Sequence, residues 1–418
     1  MLTNSGANPD PQLVQVMALP GPGHFCRSLV SALRYDERSQ PQQMYRAIIA
    51  HLRDALAAGQ QQVLLPPPPL HAVHVEQDPE LQELRWHSMA VDTQGWASFW
   101  PASDTRDGRA AVVLANRSAE RAGQWTAHRS AVLGQLLSGV SDLDLHQPLP
   151  AAPHLADSGQ LNHLRLSIGG QRAHIMGYDD GLLMPQQGRS KQPKRQGRAA
   201  HLLNLERVGV QAGLSIIVRQ HWRAADAGAQ GLRDTLCGCA GTWLIHESAC
   251  GDQHDLLNAL ERIVPGLTVR IVRDGECRLR DLPRQYGLGA TMQCRQDGRR
   301  VLLYDPRWND RRAQRLRASL QGEGLFDHAL PDLDAALLGL RRSGLWRLQL
   351  ELTADQSQQL YQPWQVTTEL LDALEAWVDA MVWPELRVED FAQGDKVAAL
   401  AEVHAALYAL LPAAPVSV

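Results

Sequence analysis

Leu214-Ser-Ile-Ile-Val-Arg219 is followed by a helix-compatible stretch over about 223–236, then by Thr242-Trp-Leu-Ile-His246 and by Asp255–Ile263. Both apolar runs are short and continuous rather than alternating. That pattern suits strands covered on both faces, and the helical stretch after each suits a parallel, doubly wound sheet. Ser215–Val218 and Thr242–His246 are therefore expected to be neighbouring buried strands.

The same rhythm extends outward. Upstream lie strand-like Leu164–Ile168 and Ala173–Met176 and a helix over about 199–212. Downstream lie strands at Thr268–Val272, Ala290–Cys294 and Val301–Tyr304, with a hairpin turn at Gln296-Asp297-Gly298. Helices follow at about 311–320 and 332–341, then strand Trp346–Leu352 and two helices over 365–381 and 394–411. Before residue 150, residues 26–58 and 119–140 read as helices, with strand-like Gln62–Leu65 and Ala110–Leu114 between them. Residues 1–20 read as loose, and no internal repeat is evident. The Pro-rich 148–153 is the natural boundary.

A chain of 418 residues exceeds one ordinary domain. The expected organisation is 1–150 (an N-terminal α/β region of unassigned fold), 160–265, 266–355 and a C-terminal helical segment 356–418. The apolar share of 44% is enough for a sizeable core. A formal net charge of −4 excludes a global field that would draw the chain to nucleic acid or a membrane surface. No apolar run is long enough to span a membrane, and Met1-Leu-Thr-Asn-Ser does not open like a signal peptide. The six cysteines form no disulfide-like framework, so a reduced, cytoplasmic protein is expected.

The stretch 214–263 resembles the second half of a response-regulator receiver domain, with His246-Glu247-Ser248 where a working receiver keeps a lysine. With Ile217-Val-Arg219 and Cys237-Gly238, it is similar to the middle of BcsE, a family of accessory regulators of bacterial cellulose secretion. In that family a degenerate receiver precedes a degenerate GGDEF module that binds cyclic di-GMP through Arg-x-x-Asp. Gly287–Arg295 and Val301–Asp310 resemble the strands that lead to this site. The sequence Arg307-Trp-Asn-Asp310 departs from the family in its third residue, which is usually glycine. The resemblance implies an α/β and α+β multi-domain fold: a doubly wound receiver-like sheet, a GGDEF-like module and C-terminal helices. It also implies a non-enzymatic regulator with no cofactor, cyclic di-GMP as ligand, and the inner-membrane cellulose synthase complex or its accessory subunits as partner.

Arg307 and Asp310 can together hold one guanine edge, the guanidinium on O6 and N7 and the carboxylate on N1–H and the amine. Arg311 and Arg312 follow and would meet phosphate. The competing reading makes Asp310 a helix cap and leaves the arginines in water. A different chemistry rests on Cys26, which precedes a helical stretch in Gly21-Pro-Gly-His-Phe-Cys26 and would serve a thiol-dependent hydrolase or transferase. A ligand-free assembly scaffold is the third reading. Cys237, Cys239, His246, Cys250 and His254 lie close together, but their spacing across a strand is not that of a zinc finger. Cys294 and Arg300 match a phosphatase-like spacing but flank a hairpin instead of a phosphate-cradling loop.

Overall fold

The computed structural model describes residues 12–21, 38–67, 91–117, 126–179, 195–239, 241–279, 288, 291–295, 298–338, 340, 343–381, 383–387, 390 and 393–412. One local plan recurs through them. Two strands meet antiparallel, a helix crosses over, and a third strand returns parallel to the second.

In the first unit β1 (Gln12–Ala18) is followed by α1 (Pro41–Ala57) and β2 (Gln61–Leu65). The second unit is β3 (Ala97–Trp100), β4 (Ala110–Leu114), α2 (Thr126–Leu137) and β5 (Leu143–His146). The third is β6 (His163–Ile168), β7 (Gln171–Tyr178), α3 (Arg198–Val208) and β8 (Ser215–Arg219). The fourth is β9 (Leu236–Cys239), β10 (Thr242–His246), α4 (Gln253–Ile263) and β11 (Thr268–Val272). The fifth is β12 (Thr291–Cys294), β13 (Arg300–Tyr304), α5 (Arg311–Gly322) and β14 (His328–Pro331). The missing antiparallel strand of the first unit comes from the far end of the chain. β15 (Leu348–Leu352) pairs with β1, Gln12 opposite Leu352 and Val16 opposite Leu348.

The units close into a ring of five three-stranded sheets. Arg300 Nη1 donates to Thr242 Oγ1 at 2.6 Å, joining the fifth unit to the fourth. Leu232 N donates to Asn162 Oδ1 at 2.8 Å between the fourth and third. Asp157 N donates to the carbonyl of Asn116 at 2.8 Å between the third and second. Thr93 Oγ1 donates to the carbonyl of Trp346 between the second and first. Gln60 Nε2 donates to Gln293 Oε1 at 3.2 Å and closes the circle. Radial repetition of this kind leaves few exposed sheet edges.

The recurrence corrects the expected architecture. Among the described residues there is no wide, doubly wound receiver sheet and no separate GGDEF-like module. Ser215–Arg219 and Thr242–His246 belong to different three-stranded sheets. The confusion has a local cause. A strand–helix–strand rhythm is the same in both architectures, and the distinguishing element is the antiparallel strand Leu236–Cys239, which lies where a helix was expected to end. The helix there covers only Trp222–Asp226. Likewise the loose N-terminus conceals β1, a strand buried from Val14 onward. The repeat is one of topology and leaves no matching sequence period.

α1 starts with Pro41 at its first turn, where the missing N–H costs nothing, and buries Met44, Tyr45, Ile48, Ile49 and Leu52 on one face. That face meets α6 (Thr368–Asp379): the rings of Tyr45 and Trp377 meet edge to face at 4.8 Å, and Arg53 pairs with Asp372 and Glu375 at 2.6 and 2.7 Å. Leu407 and Leu411, at and just past the end of α7 (Gly394–Leu410), join the same core as Val14 and Leu350, so the C-terminal helices buttress the ring closure. Among the described residues no helix is long and apolar enough to cross a membrane.

Candidate active site

The first strands of the third, fourth and fifth units, and β15 of the first, face a common cavity. Residues from β6, β9, β12 and β15, together with β1 and the turn before β2, line an axial cavity of about 720 Å³. Its wall carries Arg165, Arg233 and Arg295 against one carboxylate, Glu351, with Gln12, Gln15, Gln60, Gln61, Gln293 and Gln349 between them. Three guanidiniums facing one carboxylate favour a ligand that brings its own negative charge. Two of the glutamines are almost wholly buried: Gln15 is 2% exposed and Gln293 3%. Gln15 Oε1 and Gln293 Nε2 have no hydrogen-bond partner among the described residues. An acceptor and a donor left unpaired beside a cavity are costly unless something in the cavity satisfies them.

A smaller recess of about 40 Å³ shares Leu164, Arg165, Arg233, Gln349 and Glu351 with the large cavity and adds Phe99, Gln160 and His163. It is fixed by cross-links between units. The Gln160 amide donates to the carbonyl of Gln349 at 2.6 Å and accepts from its N–H at 3.0 Å, completing the peptide as a neighbouring strand would. Arg233 Nη2 donates to Gln349 Oε1 at 3.1 Å. Gly159, just before Gln160, has φ +55°, and a Cβ there would lie 2.6 Å from the carbonyl oxygen of Ala97. Only glycine allows the chain to pass so close to β3 in that conformation.

Behind the recess lies a sealed charge network. Asp104, in the turn after β3, is fully buried and accepts from five side-chain atoms. These are Arg165 Nε at 2.5 Å and Nη2 at 3.2 Å, Arg172 Nη1 at 3.1 Å, Ser103 Oγ at 2.7 Å and His174 Nε2 at 2.9 Å. Burial opposes its ionisation, but the hydrogen bonds from His174 and Arg165 prevail and hold the carboxyl far below the usual carboxylate range. An ionised Asp104 can only accept, so His174 carries its proton on Nε2. Its Nδ1 must then accept from Nε2–H of His163 across 2.9 Å. Burial pushes both imidazoles below their ordinary value, so both are neutral. Trp100 stacks on His163 with ring centroids 4.2 Å apart and holds its plane. On the other side Arg165 Nη1 reaches Glu351, whose carboxyl burial pushes up against the pull of Arg165.

Two thiols line the axial cavity, Cys239 on β9 and Cys294 on β12. Burial pushes the Cys239 thiol up, so it is not a thiolate near neutrality. Cys294 is exposed.

The residues singled out from the sequence lie elsewhere. Arg307 is held by Asp305, Nε to Oδ1 at 2.8 Å and Nη2 to Oδ2 at 2.8 Å, with Asp334 at 3.3 Å. Asp310 is the N-cap of α5 and accepts from Ala313 N at 2.7 Å. Arg311 and Arg312 open that helix, and none of the four residues lines the axial cavity. Cys26 lies outside the described residues. Of the Cys/His cluster, Cys237 packs in a hydrophobic core. His246 uses both ring nitrogens, Nε2 on the carbonyl of Cys277 at 2.9 Å and Nδ1 for Ser248 N at 3.0 Å. Cys294 and Arg300 face each other across the β12–β13 hairpin. The site that sequence reasoning missed has one visible signal: His163, Arg165 and His174 are chargeable groups inside otherwise apolar strand runs.

Comparison with known proteins agrees with this ring. The family model for succinylarginine dihydrolase matches residues 70–416. The chain is similar to N-succinylarginine dihydrolases of Chromohalobacter salexigens (24% identity over 92% of this chain and 93% of the relative) and Cronobacter sakazakii (25% over 84% and 85%). Among solved structures it resembles the N-terminal domain of ArgZ, a cyanobacterial arginine dihydrolase. A cysteine-to-serine variant of that domain bound to substrate gives TM-score 0.51 at 12% identity, covering 81% of this chain and 98% of that one. Intact ArgZ gives TM-score 0.53 at 13% identity, covering 82% and 42%. At these identities the structural likeness shows the fold alone. The family match overturns the resemblance to BcsE and what it implied: a non-enzymatic regulator, cyclic di-GMP as ligand, and the cellulose synthase complex as partner. The relatives are enzymes named for small-molecule substrates.

Proposed function

Because the chain belongs to the succinylarginine dihydrolase family, we propose that it is a hydrolase that removes nitrogen from the guanidino group of an arginine-derived small molecule, with N-succinylarginine the first candidate. The composition of the axial cavity carries the reading. N-succinylarginine brings two carboxylates and one guanidinium. Arg233 and Arg295 on the wall suit the carboxylates, and Glu351 with the carbonyls of Gln15 and Gln349 can accept from guanidino N–H groups. A volume of about 720 Å³ lies within the range of pockets that enclose a ligand of this size. Of the two cavity thiols, exposed Cys294 is the better nucleophile, since burial disfavours the thiolate of Cys239. A cytoplasmic setting, whose reducing conditions keep thiols available, suits a thiol-dependent enzyme of this kind.

The test is ammonia release by the purified protein from N-succinylarginine, with arginine as the comparison, and calorimetric binding of both. Catalytic release from N-succinylarginine supports the reading. Binding without release overturns the hydrolase and leaves the cavity as a binding site. Cys294→Ser and Cys239→Ser then decide the thiol: loss of turnover in the first alone assigns Cys294.

A further inference from the structure

Cys239 and Cys294 occupy equivalent places in neighbouring units. Each is the last residue of its unit's first strand, just before the hairpin turn, and each lines the axial cavity. β9 lies against β12. Cys237 and Met292, two residues earlier on those strands, pack in one hydrophobic cluster. Side chains two apart on a strand share a face, so Cys239 and Cys294 continue that contact. The residues opposite the two thiols are tied together as well. Thr242 is paired with Cys239 and Arg300 with Cys294, and Arg300 Nη1 donates to Thr242 Oγ1 at 2.6 Å. The thiols are near enough for charge on one to disfavour charge on the other: after burial, Cys294 is the largest influence pushing the Cys239 thiol up. Cys239 has no part in the hydrolysis proposed above, yet it stands beside the better nucleophile.

We propose that Cys239 and Cys294 form a reversible disulfide that takes the nucleophilic thiol out of service when the surroundings turn oxidising. The off-state rests on the hydrolase reading above, because it needs Cys294 as nucleophile; the bond itself rests on the geometry alone.

The oxidant is a small-molecule disulfide. Cys294 is exposed and meets it first, whereas half-buried Cys239 completes the bond. Cys294 Sγ, as the thiolate, bonds to one sulfur of the small disulfide, whose S–S bond breaks and expels one half as a thiolate. Cys239 Sγ then gives up its proton and bonds to Cys294 Sγ, the mixed S–S bond breaks, and the second half leaves. Two protein thiols lose two electrons and two protons, and the small disulfide is reduced to two thiols. Burial slows the second step by disfavouring the Cys239 thiolate, so the reaction is followed to its end point. An excess of small thiol runs both steps backward. Disulfides of a reducing compartment are mostly transient ones of this kind.

The experiment incubates the purified full chain with oxidised glutathione and maps the cysteine peptides by mass spectrometry without reduction. Ammonia release from N-succinylarginine is measured before oxidation, after it, and after dithiothreitol. The expected result is a cross-linked peptide joining Cys239 to Cys294, with turnover lost on oxidation and recovered on reduction. In Cys239→Ser the reaction should stop with glutathione held on Cys294. A wild-type map with glutathione on Cys294 and Cys239 unlinked, or with both thiols unchanged, overturns the proposal and leaves the hydrolase intact; it needs no variant to fold. A cross-link that leaves turnover unchanged overturns the switch and Cys294 as nucleophile. A cross-link in a protein that releases no ammonia in any state overturns the hydrolase reading and the off-state with it, while the map upholds the pair.

Discussion

His174 donates Nε2–H to Asp104 across 2.9 Å, with both side chains closed to solvent. β7 thereby holds the turn after β3 through a neutral ring on a buried anion, which Arg165 and Arg172 compensate.

Asp104→Ala should be severely destabilising. It leaves the guanidinium of Arg165, whose side chain is 10% exposed, with Glu351 as its one remaining carboxylate partner among the described residues. Breaking one side of a buried pair costs roughly 3–5 kcal/mol. Asp104→Asn should cost less, because the amide keeps part of the hydrogen bonding. Urea denaturation at neutral pH checks both. The depressed carboxyl also gives a pH signature. Its stabilisation is complete above the unfolded carboxylate range and is lost as pH falls through the lower folded value, so the Asp104→Asn penalty should shrink in strong acid.

His51 and His128 should make the protein acid-sensitive well above that range. Burial lowers each to about 4, helped for His51 by the positive charge of Arg347, whose Nη2 donates to His51 Nε2 at 2.7 Å. The unfolded chain protonates both near pH 6.5, whereas the folded chain refuses the proton until about pH 4. Stability therefore falls as pH drops through that window, by up to roughly 3 kcal/mol per histidine. Urea midpoints at neutral pH and at the acid end of that window measure the slope, and His51→Gln should flatten it.

Gly159→Ala should damage the recess more than its size suggests. The new methyl would stand 2.6 Å from the Ala97 carbonyl oxygen on a backbone at φ +55°. Strain of about 1–3 kcal/mol adds to the clash. Thermal unfolding should show the loss, and Gly159→Ala should bind N-succinylarginine more weakly than wild type. Wild-type binding and stability in this variant would show that the second and third units are not held as closely as the geometry says.

Arg307→Ala separates the axial cavity from the surface first favoured on sequence. Asp305, with its side chain only 1% exposed, would lose two of its donors, at a cost of about 1–3 kcal/mol. Ammonia release by the folded variant should match wild type, because Arg307 does not line the cavity. A selective loss of turnover would bring α5 and its N-terminal turn back into the site.

Local periodicity in this chain was enough to locate most elements. The continuous apolar runs Leu214–Val218 and Thr242–His246 are strands, and the spacing of Met44, Ile48 and Leu52 is that of a buried helix face. That no described helix is long and apolar enough to cross a membrane was legible in the same way. Periodicity reports only on neighbours a few residues apart, and the architecture depends on other contacts. Whether Ser215–Arg219 lies beside Thr242–His246 depends on strand Leu236–Cys239, whose short Cys-Gly-Cys composition carries no strong pattern. Ring closure depends on Leu348–Leu352 reaching Gln12–Val16 at the opposite end of the chain. The site was less legible still. On spacing alone Arg307 and Asp310 read as one Arg-x-x-Asp pair, but Asp310 caps α5 and Arg307 is held by Asp305, two residues before it; the longer-range partner, Asp334, was set by tertiary structure. His163 and Arg165 share β6 and His174 lies on its partner β7, but Asp104 and Glu351 come from a turn of the second unit and a strand of the first. No spacing rule joins them, because ring closure brings strands and turns of separate units together.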